Sequence, residues 1–177
     1  SSAASDVYKR QKNEGGNKEI EESAYKDMLI AISESGDIDM VDIEVYFMDE
    51  KNTKDIVKSL KKNVVVVGSY HDFDKTPSYD EIIKRLCFMK SQGVSIPKLA
   101  CMPQNRHDVV TLMEATQDFV SKNVGLPVIT MSMGDYGKVS RVAGKSFGSA
   151  MTFGCLGKAS APGQINVDDL RAILNIL

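Results

Sequence analysis

The sequence predicts an α/β fold built on a parallel sheet. Two observations carry this. Short β-branched or apolar runs alternate with amphipathic helical stretches at a spacing of roughly 25–35 residues, which is the rhythm of strands joined by helical crossovers. The runs are apolar along nearly their whole length, as expected of strands covered on both faces. Five strands are expected in the 177-residue chain. A closed (β/α)8 barrel takes about 250 residues, so the pattern fits either an open doubly wound sheet or part of a barrel.

The elements follow in order. The opening run, residues 1–11, has no period and reads as a non-native or disordered tail, leaving 12–177 as the folded domain. A helix is expected over Glu19 to Ser35, with Ile20, Tyr25, Met28, Leu29 and Ile32 on one face and Gly36 as its stop. Met40 to Phe47 reads as a strand, Asn52 to Lys62 as a helix, and Val64 to Ser69 as a strongly β-branched strand. Thr76-Pro77-Ser78 opens a helix that runs to Gln92 and stops at Gly93. Lys98 to Met102 is a strand, and Asn105 or His107 opens a helix with Val109, Val110, Leu112, Met113 and Phe119 inward. Pro127 to Met133 is a strand, Val139 to Phe147 a short helix or turn, and Ala150 to Phe153 the fifth strand. Val167 to Ile176 closes the chain as a helix, capped by Asn166 with Asp168 and Asp169 in its first turn.

Composition excludes several functions. The formal net charge is −2, so no basic field argues for nucleic acid or an anionic membrane. No apolar run approaches the roughly 18–20 residues of a membrane span. Three widely spaced cysteines, Cys87, Cys101 and Cys155, suit reduced buried thiols in a cytosolic protein better than a disulfide framework. With two histidines, His71 and His107, a histidine-rich metal site is not expected.

Polar residues collect just past the strand ends, at Ser69 to Asp74, Gln104 to His107, Gly134 to Tyr136 and Gly157 to Gln164. That edge carries the active site in barrels and in open sheets alike. Lys98, in Ser95-Ile-Pro-Lys-Leu-Ala-Cys-Met-Pro-Gln104, belongs to an apolar strand. In water only about one lysine in 2,500 is neutral at pH 7, and burial favours the neutral form. A neutral amine condenses with ketones to a Schiff base. The bland alternative is a strand-end lysine reaching out to water. His71 ends the strand one βα unit upstream, in Val64-Val-Val-Val-Gly-Ser-Tyr-His-Asp-Phe73, where it serves either as an acid–base group or as a loop histidine bonded to a carbonyl. Asp72 is adjacent, but its side chain is expected to point elsewhere.

Other candidates follow. Glu14 sits before the paired glycines of Asn13-Glu-Gly-Gly-Asn17 and is either aimed at an imidazole or part of a surface turn. Arg141 offers a fork for a carboxylate or is a solvated helix residue; Arg106 and Lys145 have less positional support. Gly157-Lys-Ala-Ser-Ala-Pro-Gly-Gln164 is a glycine-rich loop that matches no nucleotide fingerprint and suits a lid whose Ser160 and Gln164 bond hydroxyls. Met131 and Met133 alternate toward one side, as do Asp42 and Glu44, two acids to which no role is assigned.

Together these segments resemble one family. Glu14-Gly-Gly16, Ser69-Tyr-His-Asp-Phe73 with Lys75-Thr-Pro77, Ile96-Pro-Lys98 with Met102-Pro-Gln104, Met131-Ser-Met-Gly134, Ser140-Arg141 and Ser160-Ala-Pro-Gly-Gln164 are similar, in order and spacing, to type I 3-dehydroquinate dehydratases. The resemblance runs from about Lys12 to the C-terminus. It implies a (β/α)8 TIM-type barrel, here lacking about its first three strands. It implies a lyase of the shikimate pathway that dehydrates 3-dehydroquinate to 3-dehydroshikimate with no metal or organic cofactor. Lys98 would form the imine, His71 would act as general acid and base, and Glu14 would orient His71. Arg141 would hold the substrate carboxylate, Ser160 and Gln164 would close over it, and Met133 and Phe153 would line the pocket. Arg10 falls where a further family arginine sits. The family habit is a cytoplasmic homodimer; the partner is a small molecule, with no nucleic acid and no membrane. The alternatives are another Schiff-base, class I aldolase-type barrel enzyme, or a non-catalytic fragment that keeps the fold. A partial barrel has unpaired sheet edges, so the isolated chain is expected to turn over 3-dehydroquinate poorly or to aggregate. Soluble expression with near-normal turnover in a steady-state assay would contradict that expectation.

Overall fold

In the structure, a computed structural model, residues 21–177 are described. Four parallel strands form one sheet in the order β1-β2-β3-β4: β1 (Met40–Glu44), β2 (Val65–Asp72), β3 (Ile96–Cys101) and β4 (Ile129–Ser132). Helices α1 (Glu22–Glu34), α2 (Glu50–Leu60), α3 (Tyr79–Ser91) and α4 (Arg106–Lys122) alternate with them. The short helices α5 (Lys138–Val142) and α6 (Gly144–Phe147) and the closing α7 (Val167–Leu174) follow.

The strand order decides between the two architectures that periodicity leaves open. A doubly wound sheet reverses its order at a switch point; here each strand pairs with the next in sequence. Helices α1 to α4 also share one face. Val41, Ile43, Val45, Val66, Leu99 and Cys101 pack with Tyr25, Leu29, Ile56, Leu60, Ile82, Leu86, Met89, Leu112 and Phe119 in a single cluster. The opposite face carries its own small cluster of Val67, Ile96, Ala100, Ile129 and Met131, with Met40 and Phe153 against it. Outer helices, inner side-chain layer and consecutive strand order are the architecture of a (β/α)8 barrel.

Local chemistry explains the element boundaries. The Asp49 carboxylate accepts the Asn52 amide at 2.8 Å and starts α2, while Asn105 Oδ1 accepts the Asp108 amide at 3.1 Å and starts α4. Ser78 caps α3, one residue after Pro77. Asn166 caps α7, accepting the Asp168 amide at 2.9 Å, as expected from the sequence.

Three expectations are corrected. Ala150 to Phe153 forms no strand; a single parallel bridge joins Ser149 to Val128. The Ser149 hydroxyl accepts from the Thr130 amide at 3.0 Å and donates to the Thr130 carbonyl at 3.1 Å, so a side chain takes up the backbone groups that a longer ladder would use. Val110 is 58% exposed and Ile32 lies at the surface, because the apolar faces of α4 and α1 are narrower than a count of apolar residues implies. All three cysteines are free, but Cys101 alone is buried, and Cys87 is exposed. No helix among the described residues is long and apolar enough to cross a membrane.

Leu99 is fully buried in the outer core. Leu99→Ala is expected to cost about 2–5 kcal/mol of unfolding free energy, read as a lower urea midpoint at unchanged m-value.

Candidate active site

The register of the sheet assembles the site. Ser69 pairs with Lys98, and His71 with Ala100. Paired residues of parallel strands face the same way and side chains alternate along each strand, so Lys98 and His71 share the inner face. Both are buried, at 5% and 3% exposure. Leu99, between Lys98 and Ala100, points out into the helices. Lys98 therefore does not reach for water. Its Nζ donates to Asp42 Oδ2 at 2.5 Å across the sheet and lies 5.1 Å from the centre of the Phe153 ring. Asp42 and Glu44 share this face as the strand period requires. The imidazole of His71 stacks on Phe73, with ring centroids 6.4 Å apart. Asp72 points away into its own turn, accepting the Asp74 and Lys75 amides at 3.0 and 2.9 Å.

Arg141, on α5, is 1% exposed. Its Nη1 meets Met131 Sδ at 3.7 Å and its Nη2 donates to the Pro162 carbonyl at 3.0 Å. Nε is buried without a hydrogen-bond partner among the described residues. Burial pushes its pKa below the ordinary guanidinium value. A buried, under-satisfied guanidinium is a site that gains from an anion. Arg106 and Lys145, by contrast, are exposed.

Met133 is buried at the end of β4, its amide donating to the Cys101 carbonyl at 2.8 Å. Phe153 packs on the inner cluster. Ser160 and Gln164 are brought together, but on each other: Gln164 Oε1 accepts from the Ser160 amide at 2.7 Å, the Ser160 hydroxyl at 3.1 Å and the Ala161 amide at 3.2 Å. Glu14, with Arg10, lies outside the described residues.

The loop is fastened at its next two residues. The Pro162 carbonyl accepts from the Gly134 amide at 3.2 Å as well as from Arg141. Gly163 has φ +74°, and a Cβ there would lie 2.3 Å from the Gly134 carbonyl oxygen. A backbone carbonyl has no signature in sequence, so this contact was not foreseeable. Asp42 was visible as an acid on an inward strand face, but its partner could not be assigned without the register. Cys101 is no nucleophile for this site. It faces the outer core, and burial pushes its thiol up to about 12. The shallow cavity of about 510 Å3 lined by Ser33, Gly36, Ile38, Asp39 and Asn63 lies before β1 and β2, at the opposite end of the strands from the loops of the site.

Fold and site define an α/β barrel-type protein whose inner face carries a buried lysine and a histidine on neighbouring strands, with a buried arginine beneath a fastened loop. Residues 7–177 match the type I 3-dehydroquinase family. The 3-dehydroquinate dehydratases of Salmonella typhimurium and Escherichia coli are 45% and 46% identical over 95% of this chain, which covers 67% of each. The 3-dehydroquinate dehydratase structure from Geobacillus kaustophilus superposes with a TM-score of 0.89 at 36% identity, over 95% of this chain and 65% of that one. The type I enzyme of Clostridium difficile, solved with covalently modified comenic acid, gives 0.86 at 43% identity, over 92% and 64%. The chain belongs to the type I 3-dehydroquinase family and spans about two thirds of the length of these relatives.

Gly163→Ala is expected to unseat the loop, because the left-handed backbone alone costs an alanine about 1–2 kcal/mol and its methyl meets the Gly134 backbone. Amide exchange at Gly134, whose N–H the Pro162 carbonyl receives, should then accelerate at least several-fold while amides of β2 and β3 keep their rates.

Proposed function

We propose that this chain carries the dehydratase chemistry of its family: conversion of 3-dehydroquinate to 3-dehydroshikimate through a Schiff base on Lys98. The single observation that carries the reading is the burial of Lys98 on the same sheet face as His71, one strand away.

In the proposed reaction the Lys98 ammonium gives up a proton and its nitrogen attacks the substrate ketone. The carbonyl oxygen takes up that proton and a second one from the nitrogen and leaves as water, giving a protonated imine. That cation draws electrons from the adjacent carbon, so His71 can remove its proton; the C–H pair moves to the nitrogen and forms an enamine. The enamine pushes out the hydroxyl at the next carbon, which departs as water with the proton held by His71. Hydrolysis of the new imine frees the product and restores the amine. Glu14 orients His71. Arg141 binds the substrate carboxylate; its buried Nε, without a partner among the described residues, supports that role. Ser160 and Gln164 exchange their mutual hydrogen bonds for substrate hydroxyls, and Met133 and Phe153 form the apolar wall. Excluding water protects the imine from early hydrolysis. We further propose that the protein works in the cytoplasm as a homodimer.

Incubation with 3-dehydroquinate and borohydride should fix a ligand-sized mass on the Lys98 peptide, and Lys98→Ala should abolish it. An adduct that persists in Lys98→Ala would assign the nucleophile elsewhere.

A further inference from the structure

We infer that Asp42 is the counter-ion of the reacting nitrogen, holding Lys98 as an ammonium before condensation and as an iminium after it. The inference rests on the Schiff-base reading above and adds to it a residue on a different strand from either Lys98 or His71.

The geometry is direct. Asp42 Oδ2 stands 2.5 Å from Lys98 Nζ, and both side chains are largely withdrawn from water. A buried ion pair is a poor stabiliser of a fold, since desolvation offsets most of its Coulomb energy. An apolar pair would fill the inner layer of Val67, Ile96, Ala100, Ile129 and Met131 at lower cost. The pair is better explained by the charge that the nitrogen carries during reaction.

Condensation conserves that charge. An ammonium and a ketone give an iminium and water: two of the three nitrogen protons leave on the ketone oxygen, the C–N bond replaces the C–O bond, and one N–H and the positive charge remain. Asp42 thus faces a cationic N–H in both states. The attraction falls away when the adjacent C–H proton moves to His71 and the electron pair neutralises the nitrogen. It returns when the imine is regenerated.

Among the described residues, the following ionisable groups stand around Lys98. From β1 there are Asp42 and Glu44, and from β2 His71. β4 offers Ile129 and Met131, neither ionisable, with the Arg141 guanidinium beyond Met131. Cys155 follows Phe153 in the covering segment. Helices α3 and α4 pack on the opposite face. Among these groups, Asp42 makes the ion pair with Nζ.

The test reads the nitrogen itself. Reductive methylation by formaldehyde and cyanoborohydride proceeds through an imine on the neutral amine, and peptide mass spectrometry reports its rate at Lys98. Lys84, whose side chain is 80% exposed, serves as internal reference. An opposite charge beside an amine favours its protonated form. In Asp42→Asn, methylation of Lys98 at one fixed neutral pH should therefore run at least several-fold faster than in wild type, with Lys84 unmoved. Asp42→Glu should return the rate toward that of wild type. Asp42→Leu, which removes the charge and packs the layer, gives the same readout if the asparagine variant does not fold. Lys98 rates in the charge-free variants that coincide with wild type would overturn the inference. If wild type instead takes no borohydride-trapped adduct from 3-dehydroquinate, the dehydratase reading fails, and the formaldehyde rates still decide the role of Asp42.

Discussion

The pairing of Ser69 with Lys98 fixes nearly everything else at this site. A shift of one residue in that register would send Lys98 and Ala100 into the helices and turn Leu99 toward the interior, because strand side chains alternate. The outer core would then hold a buried ammonium with no acid beside it, which is why the register is strongly specified. The same pairing carries through β2 to β1, where Asp42 lies opposite Val67. Three strands with consecutive order bring an amine, an acid and an imidazole to one face without any of them being neighbours in sequence.

That face is costly to build. Lys98, Glu44, His71 and Arg141 are all buried, and each charge taken from water must find a partner. Lys98 finds Asp42 and the face of Phe153. Among the described residues, Arg141 finds a carbonyl and a thioether for two of its nitrogens and no hydrogen-bond partner for Nε. A folded domain carries such an unsatisfied group where another requirement outweighs stability. The outer core, whose described members are aliphatic and aromatic side chains together with the thiol of Cys101, supplies the stability that the inner face lacks.

The glycine-rich loop is joined to this polar arrangement by its backbone. Pro162 has no N–H to offer but a free carbonyl, and that oxygen takes bonds from both Gly134 and Arg141. Gly163 lets the chain pass against Gly134 at a distance that no side chain permits. The position of the loop and the surroundings of the arginine are therefore one structural fact. An anion that draws the guanidinium away also acts on the loop. Ser160 and Gln164, bonded to each other, lie two residues to either side of Pro162.

Most of the secondary structure was legible because it follows from local chemistry. β-branched runs, capping residues such as Ser78, Asn105 and Asn166, and stop signals at Gly36 and Gly93 act within a few residues of where they stand. The motifs around His71, Lys98, Arg141 and Gln164 were legible for the same reason. What pairs with what was not. The sequence could not say that Asp42, fifty-six positions from Lys98, is its partner, nor that the Ser149 hydroxyl ends the sheet at β4, nor that a proline carbonyl meets the arginine. Local propensity determined the elements and the candidate residues. Strand order, register and backbone contacts, which depend on long-range pairing, were decided only when the chain was folded.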